Sequence, residues 1–213
     1  MRCARHFSKG RDERRTGASF LAFIVLIITI LVLFQCLTMT LAPKAGAEVQ
    51  RNYSCERTAF RDGRDIHRGL DSIMDHAHPK LHPQKREKYR ASIMKWSERY
   101  DLCPLTVASI IWKESKFDEK CRYLGALGPM QTIPRYHRDK MAKAGISVAD
   151  ISTIDKGVHI GCIVFRHYMD KSKGNVHKAL KYYNGCVNAK NPRYVRDVLG
   201  MRDKSRAAGR KDS

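Results

Sequence analysis

The sequence predicts an all-α domain behind a single apolar N-terminal span, and three observations carry that prediction. No charged residue occurs between Thr16 and Pro43. From Ile66 to Val198 apolar residues recur at three- and four-residue intervals, the helical period. No stretch of useful length alternates apolar and polar residues as a half-buried strand would. The chain has 213 residues, 43% hydrophobic, which excludes wholesale disorder and allows one ordinary domain plus appendages.

The apolar span comes first. Ser19 to Leu41 are 23 consecutive uncharged residues rich in Ile, Leu, Val and Phe. A helix of that length reaches roughly 34 Å, enough to cross a ~30 Å hydrocarbon core with some tilt. Arg2, Arg5, Lys9, Arg11, Arg14 and Arg15 precede it, which argues for a cytoplasmic N-terminus. A cleaved signal peptide is the alternative, with Ala45-Gly46-Ala47 as its small-residue site, but the span exceeds the usual 7–15 residue apolar region. Both readings place residues 44–213 outside the cytoplasm. The expected organisation is a basic leader (1–18), a transmembrane helix or signal anchor (19–42), a linker with an accessory helix (43–87), the main domain (88–200) and a basic, disordered tail (201–213).

Beyond the span the helices follow in order. Ile66, Leu70, Ile73 and Met74 form a first apolar stripe, broken by Pro79 and Pro83. Tyr89, Ile93, Trp96 and Tyr100 mark a second. Cys103-Pro104 opens a third, with Pro in the first turn where its missing N–H costs little. That helix, through Leu105, Val107, Ala108, Ile110, Ile111 and Trp112, is apolar on most faces and is therefore central. Residues 120–134 read as loop. A short helix from Arg138 stops at Gly145, another carries Val158, Cys162, Phe165 and Met169, and a third carries Val176, Leu180 and Tyr183. The last, with Tyr194, Val195 and Val198, ends at Gly200.

Charge and cysteine use fit an exported domain. Residues 44–213 hold 35 Lys/Arg against 19 Asp/Glu, a net charge of +16 in a chain whose total is +20. Such a surface suits polyanions: peptide carboxylates, phosphate-bearing wall polymers or anionic headgroups. No nucleic-acid recognition motif accompanies it. Cys55, Cys103, Cys121, Cys162 and Cys186 fall in the exported part, where disulfides persist, and an odd number leaves at least one unpaired within the chain. The preferred pairs are Cys103–Cys121 and Cys162–Cys186. Asp75, His76, His78 and His82 cluster, but ligands straddling Pro79 without a cysteine are a weak zinc pattern. No metal or other cofactor is expected.

Glu114 is the unusual residue. It sits in the last turn of the central helix, at the negative end of the macrodipole and near apolar walls. Both influences raise a carboxyl pKa, which suits a general acid near neutral pH. A solvated glutamate between Lys113 and Lys116 would look the same in isolation. The residues that follow add context: Glu114-Ser115-Lys116-Phe117, then Gly125-Ala126-Leu127-Gly128-Pro129-Met130-Gln131, Ile160-Gly161 in a helix, Ala179-Leu180-Lys181-Tyr182-Tyr183-Asn184-Gly185, and Tyr194-Val195 with Val198-Leu199.

In this order and spacing the series resembles the catalytic domain of the soluble lytic transglycosylase family, a lysozyme-like fold that also includes goose-type lysozyme. The resemblance runs from about Tyr89 to Leu199. It implies cleavage of the β-1,4 bond between N-acetylmuramic acid and N-acetylglucosamine in peptidoglycan without water, leaving a 1,6-anhydromuramic end. Glu114 matches the single catalytic glutamate. Ser115 would orient it or contact the sugar, unless it makes only a local backbone hydrogen bond. Gly125, Ala126 and Gly128 would let the loop backbone approach the glycan. Met130 would floor the groove, if it is not plain core, and Gln131 would meet an N-acetyl group. Tyr183 and Asn184 match the pair facing the glutamate. Asp118 is weighed as a catalytic partner against a surface or capping role, and the latter is favoured. Pro129 and Cys186 depart from the family pattern, standing where a larger apolar residue and a Gly or Ser are usual.

The implied protein is a membrane-tethered wall-opening enzyme, of the kind a phage, secretion or conjugation assembly uses. A hydrolytic goose-type-like lysozyme, a non-catalytic glycan-binding envelope protein and a basic nucleic-acid-associated membrane protein are the alternatives.

Overall fold

The computed structural model describes residues 63–190 and 192–210. The leader, the apolar span and the cysteines at 3, 36 and 55 lie outside the described residues. Seven α-helices make up most of the rest: α1 (Gly63–Ala77), α2 (Pro83–Arg99), α3 (Pro104–Ser115), α4 (Arg138–Ala144), α5 (Ile154–Lys171), α6 (Val176–Tyr183) and α7 (Arg193–Arg210). Among the described residues no helix is long and apolar enough to cross a membrane.

The all-α expectation holds with one addition. Arg122–Tyr123 (β1) and Ala126–Leu127 (β2) pair as an antiparallel hairpin, Tyr123 opposite Ala126. With two residues per strand it is too short to show an alternating pattern.

α3 is central, as its composition requires. Every residue from Pro104 to Ile111 is buried, and the helix packs on α1, α2 and α7. Its start is capped by Cys103, whose Sγ accepts from the Thr106 amide at 3.3 Å. Lys116 closes it in the left-handed conformation, φ 55°, and Phe117 continues the turn at φ 65°. Phe117 thereby enters the core, edge-on to the buried Tyr89 ring at 5.1 Å between centroids. This turn leaves Glu114 at the rim of the core.

α1 is not an accessory. Leu70, Ile73 and Met74 belong to the same apolar cluster as Leu105, Ile111 and Val198. The end of the chain also differs from expectation. α7 does not stop at Gly200, and residues 201–210 are its second half rather than a disordered tail. Gly200 is exposed with open space around it, while Met201, Ser205 and Gly209 turn inward toward α1. The Gly209 carbonyl accepts from Arg68 Nε at 3.1 Å and Nη2 at 2.9 Å. A glycine on a solvent face costs a helix about 1 kcal/mol, and burial of its neighbours outweighs that.

The cysteine pairing is corrected as well. Cys103 is disulfide-bonded, but Cys121, Cys162 and Cys186 carry free thiols. Neither Cys103–Cys121 nor Cys162–Cys186 forms. Cys162 is fully buried on α5 among the core apolars, where a small hydrophobe is what the packing needs.

Candidate active site

Glu114 is half-buried at the end of α3. Its Oε1 accepts a 2.6 Å hydrogen bond from the Tyr194 hydroxyl, brought across from the first turns of α7. Burial raises the carboxyl above its ordinary pKa, against the opposing pull of that hydrogen bond and of the nearby Lys113 ammonium. Tyr194 is itself raised well above the usual phenol value by burial and then by the Glu114 charge, so it stays a donor.

The acids around Glu114 are engaged elsewhere. Asp197 Oδ2 pairs with Lys113 at 2.6 Å. Glu119 Oε1 pairs with Lys85 at 2.6 Å. Asp118 is exposed, and its Oδ1 accepts from the Lys120 amide at 2.9 Å, a local turn bond on the surface. Glu114 is therefore the one acid here, among the described residues, combining an apolar setting with a neutral hydrogen-bond donor.

The loop from Gly125 to Gln131 is held close to α5. Gly128 has φ +75°, and a Cβ there would lie 2.1 Å from the Ile151 carbonyl oxygen. Pro129 rests on Gly157 and Met130 on Gly161, one helical turn apart on the same face. Pro129 thus fits because Gly157 leaves room for its ring. Met130 is fully buried, so the core reading applies to its side chain. Its backbone does the work at the site: the Met130 carbonyl accepts from the Tyr183 hydroxyl at 2.7 Å. Burial first, then the Glu114 charge, raises Tyr183 well above its ordinary value, so its hydroxyl stays a donor.

The remaining expected residues divide. Gln131, with φ 47°, turns its amide inward, donating to the carbonyls of Cys121 (3.0 Å) and Gly128 (2.9 Å). It braces the loop, and its side-chain oxygen is what remains for a ligand. Ser115 is buried and donates to the Ile111 carbonyl at 3.2 Å, the local bond rather than a contact to Glu114. Ala126 is buried within the second strand of the hairpin, and Gly125 lies in open space at φ +83°. Asn184 is exposed at the end of α6. Tyr194 is the site residue to which the sequence reading gave a place in the resemblance and in the helix pattern but no role at the glutamate.

The histidine cluster does not converge. Asp75 pairs with Arg86 at 2.7 Å, His82 caps α2 through the Gln84 amide at 3.3 Å, and His76 faces Trp112 at 5.8 Å between centroids. Among the described residues no group of three His, Cys, Asp or Glu is placed to hold a metal ion.

Residues 91–197, half the chain, match the family model described as Transglycosylase SLT domain. The chain belongs to the SLT transglycosylase family. Comparison with curated proteins returns no match. Membership accounts for the mostly helical, lysozyme-like domain and supports, at the level of the family, lytic transglycosylase action on peptidoglycan. The matched segment of this SLT domain starts inside α2 and stops inside α7. It contains Glu114, Tyr183 and Tyr194, and leaves out α1 and the half of α7 that packs on it.

Proposed function

We propose that this SLT-family chain cleaves the MurNAc-β-1,4-GlcNAc bond of peptidoglycan non-hydrolytically, with Glu114 as the only general acid and base. The single observation that carries this reading is the Glu114–Tyr194 pair: a carboxyl raised by burial, with one oxygen held at 2.6 Å by a phenol. With Oε1 occupied as an acceptor, the proton of the acid form resides on Oε2. Oε2 would protonate the glycosidic oxygen as the C1–O bond breaks. The resulting carboxylate would then take the proton of the muramic C6 hydroxyl as that oxygen bonds to C1, closing the 1,6-anhydro ring.

Ordinary glycosidases need a second carboxylate, as nucleophile or to activate water. An intramolecular hydroxyl already near C1 replaces water through its effective molarity, and the substrate's acetamido group can stabilise the cationic carbon. The engagement of Asp118, Glu119 and Asp197 in other contacts agrees with a one-carboxylate mechanism. Tyr183, donating to the Met130 carbonyl, would set the wall beside the scissile sugar.

Anchoring belongs to the same proposal. The apolar residues 19–42 would tether the domain with the N-terminus cytoplasmic and the site facing the wall, as the basic leader and span length support. The enzyme would open the wall locally for a larger assembly.

The test is digestion of purified sacculi followed by mass analysis. Anhydro-muramic ends are expected, and reducing ends alone would instead assign a goose-type-like hydrolase. Glu114→Gln should lower turnover by at least about 10³-fold. Unchanged lysis by that variant would remove Glu114 from the mechanism, and no cleavage products from the unmodified chain would favour a non-catalytic role.

A further inference from the structure

From Lys171 to Arg196 the chain contains seven Lys or Arg residues and no Asp or Glu. The run covers the end of α5, all of α6, the connection to α7 and the first residues of α7. It touches the candidate site twice, through Tyr183 on the Met130 carbonyl and Tyr194 on Glu114. It ends at Asp197, which is spent on Lys113 and Arg193.

What sets this run apart is the absence of any acid within it, so its basic residues have no acidic partner of their own segment. Some cations elsewhere in the domain are matched, as Arg86 and Arg90 are on Asp71, Lys85 on Glu119 and Arg166 on Asp170. Lys173, Lys178 and Lys190 are exposed and, among the described residues, none of them, nor Lys181, makes an ion pair. Lys171 leans over the Tyr182 ring, 4.5 Å from its centroid. Lys178 and Lys181, three apart on α6, are neighbours on the helix surface. Like charges left together oppose folding slightly, and an anion lying along them would relieve that repulsion.

We infer that this acid-free segment is a docking rail for the carboxylate-bearing peptide side chains of uncleaved peptidoglycan, beside the Glu114 site proposed to act on the glycan. The inference rests on the proposed substrate class. Each muramic residue of intact wall carries a peptide with free carboxylates, so a strand threaded past Glu114 presents anions at regular intervals. A row of flexible lysines, each a compact charge with rotatable donors, suits such mobile partners better than a rigid fork would. At physiological salt the attraction reaches about 8–10 Å, so only peptides close to the site are captured. The enzyme therefore prefers peptide-substituted glycan over bare glycan.

The test uses the full chain carrying Glu114→Gln, so that binding is read without cleavage. Pelleting is measured with intact sacculi, with sacculi stripped of phosphate polymers, and with glycan whose peptides an amidase has removed. Binding about tenfold weaker to the peptide-free glycan, and undiminished on phosphate-stripped sacculi, is expected. Adding Lys178→Gln, Lys181→Gln and Lys190→Gln together should weaken sacculus binding about tenfold and flatten its salt dependence. Exchanging the exposed Lys80, Lys88 and Lys143 instead removes equal charge and should leave most of the binding. Equal binding to peptide-bearing and peptide-free glycan, loss on removing phosphate polymers, or equal loss from both triple variants would each overturn the rail. Product analysis with the active chain is independent: hydrolytic ends would sink the proposed chemistry and leave the rail standing.

Discussion

At the scale of single residues, the site is a balance of three influences on one carboxyl. Burial favours the protonated Glu114, while the Tyr194 hydroxyl and the Lys113 ammonium favour the ionised form. Removing either opponent must raise the carboxyl further. The acid form is the one that starts the reaction, so the alkaline limb of the pH–rate profile should move to higher pH in Tyr194→Phe and in Lys113→Met. Tyr194→Phe also frees Oε1 to rotate, and its rate at the optimum should fall about 10- to 100-fold. An unmoved alkaline limb in both variants would mean that another group sets it. Glu114 and Tyr183 were readable because each sits in a recognisable run. Tyr194 also stood in such a run, but its role was not readable, because an aromatic on the inward face of an amphipathic helix reads as core, and it is indeed only 8% exposed. Ser115 and Met130 have the converse history: their types suit a sugar groove, but local backbone bonding and full burial claim them.

At the scale of elements, periodicity located the helices because each buries a stripe, and it failed where that logic lapses. The hairpin is too short for a period, and the second half of α7 buries small residues whose spacing carries little hydrophobic signal. Gly157 and Gly161 show what sequence order alone cannot. They are not breakers but a flat track on α5 where Pro129 and Met130 lie down. A Cβ at Gly161 would come within 2.3 Å of Met130 Sδ and 2.5 Å of its Cβ, and the second atom cannot swing away. Gly161→Ala should therefore destabilise the domain by about 1–3 kcal/mol in denaturant unfolding. It should also reduce activity, since the Met130 carbonyl that receives Tyr183 must shift. Wild-type stability in this variant would show the loop to be looser than its packing implies.

For the whole molecule, the family-matched segment is clamped by a pair of elements that the match omits, α1 and the end of α7. Arg68 reaches the Gly209 carbonyl, and Leu70, Leu105 and Met201 share one core. A chain ending at Gly200 should lose about 3 kcal/mol or more, because Met201 is removed and the inner face of α1 meets water. Thermal unfolding of the truncated domain reads this directly, and an unchanged midpoint would return residues 201–210 to the status of a tail.

The pH response of the fold is also a property of the whole, and it turns on the junction of α2 and α5. His159 on α5 lies flat against Trp96, 3.5 Å between ring centroids, and its Nε2 meets the Tyr100 hydroxyl at 2.8 Å. Burial first, then Lys156, Lys95 and Arg99, lower its pKa from the ordinary 6.5 to about 4, although Asp155 pulls the other way. Below 6.5 the unfolded chain takes up a proton that the folded chain refuses until about 4. Stability is thus fully present above 6.5 and declines as pH falls toward 4, by about 3 kcal/mol at most from this group. His137, also lowered by burial, adds in the same direction, while the raised Glu114 opposes it. Asp155 and Asp197 are held below the ordinary carboxylate range, so their losses come at lower pH. Comparing variant with wild type isolates the histidine: His159→Gln should lose much less stability between neutral pH and about pH 4.5. Parallel declines in denaturant midpoint for the two proteins would show that the α2–α5 junction accepts the proton at little cost.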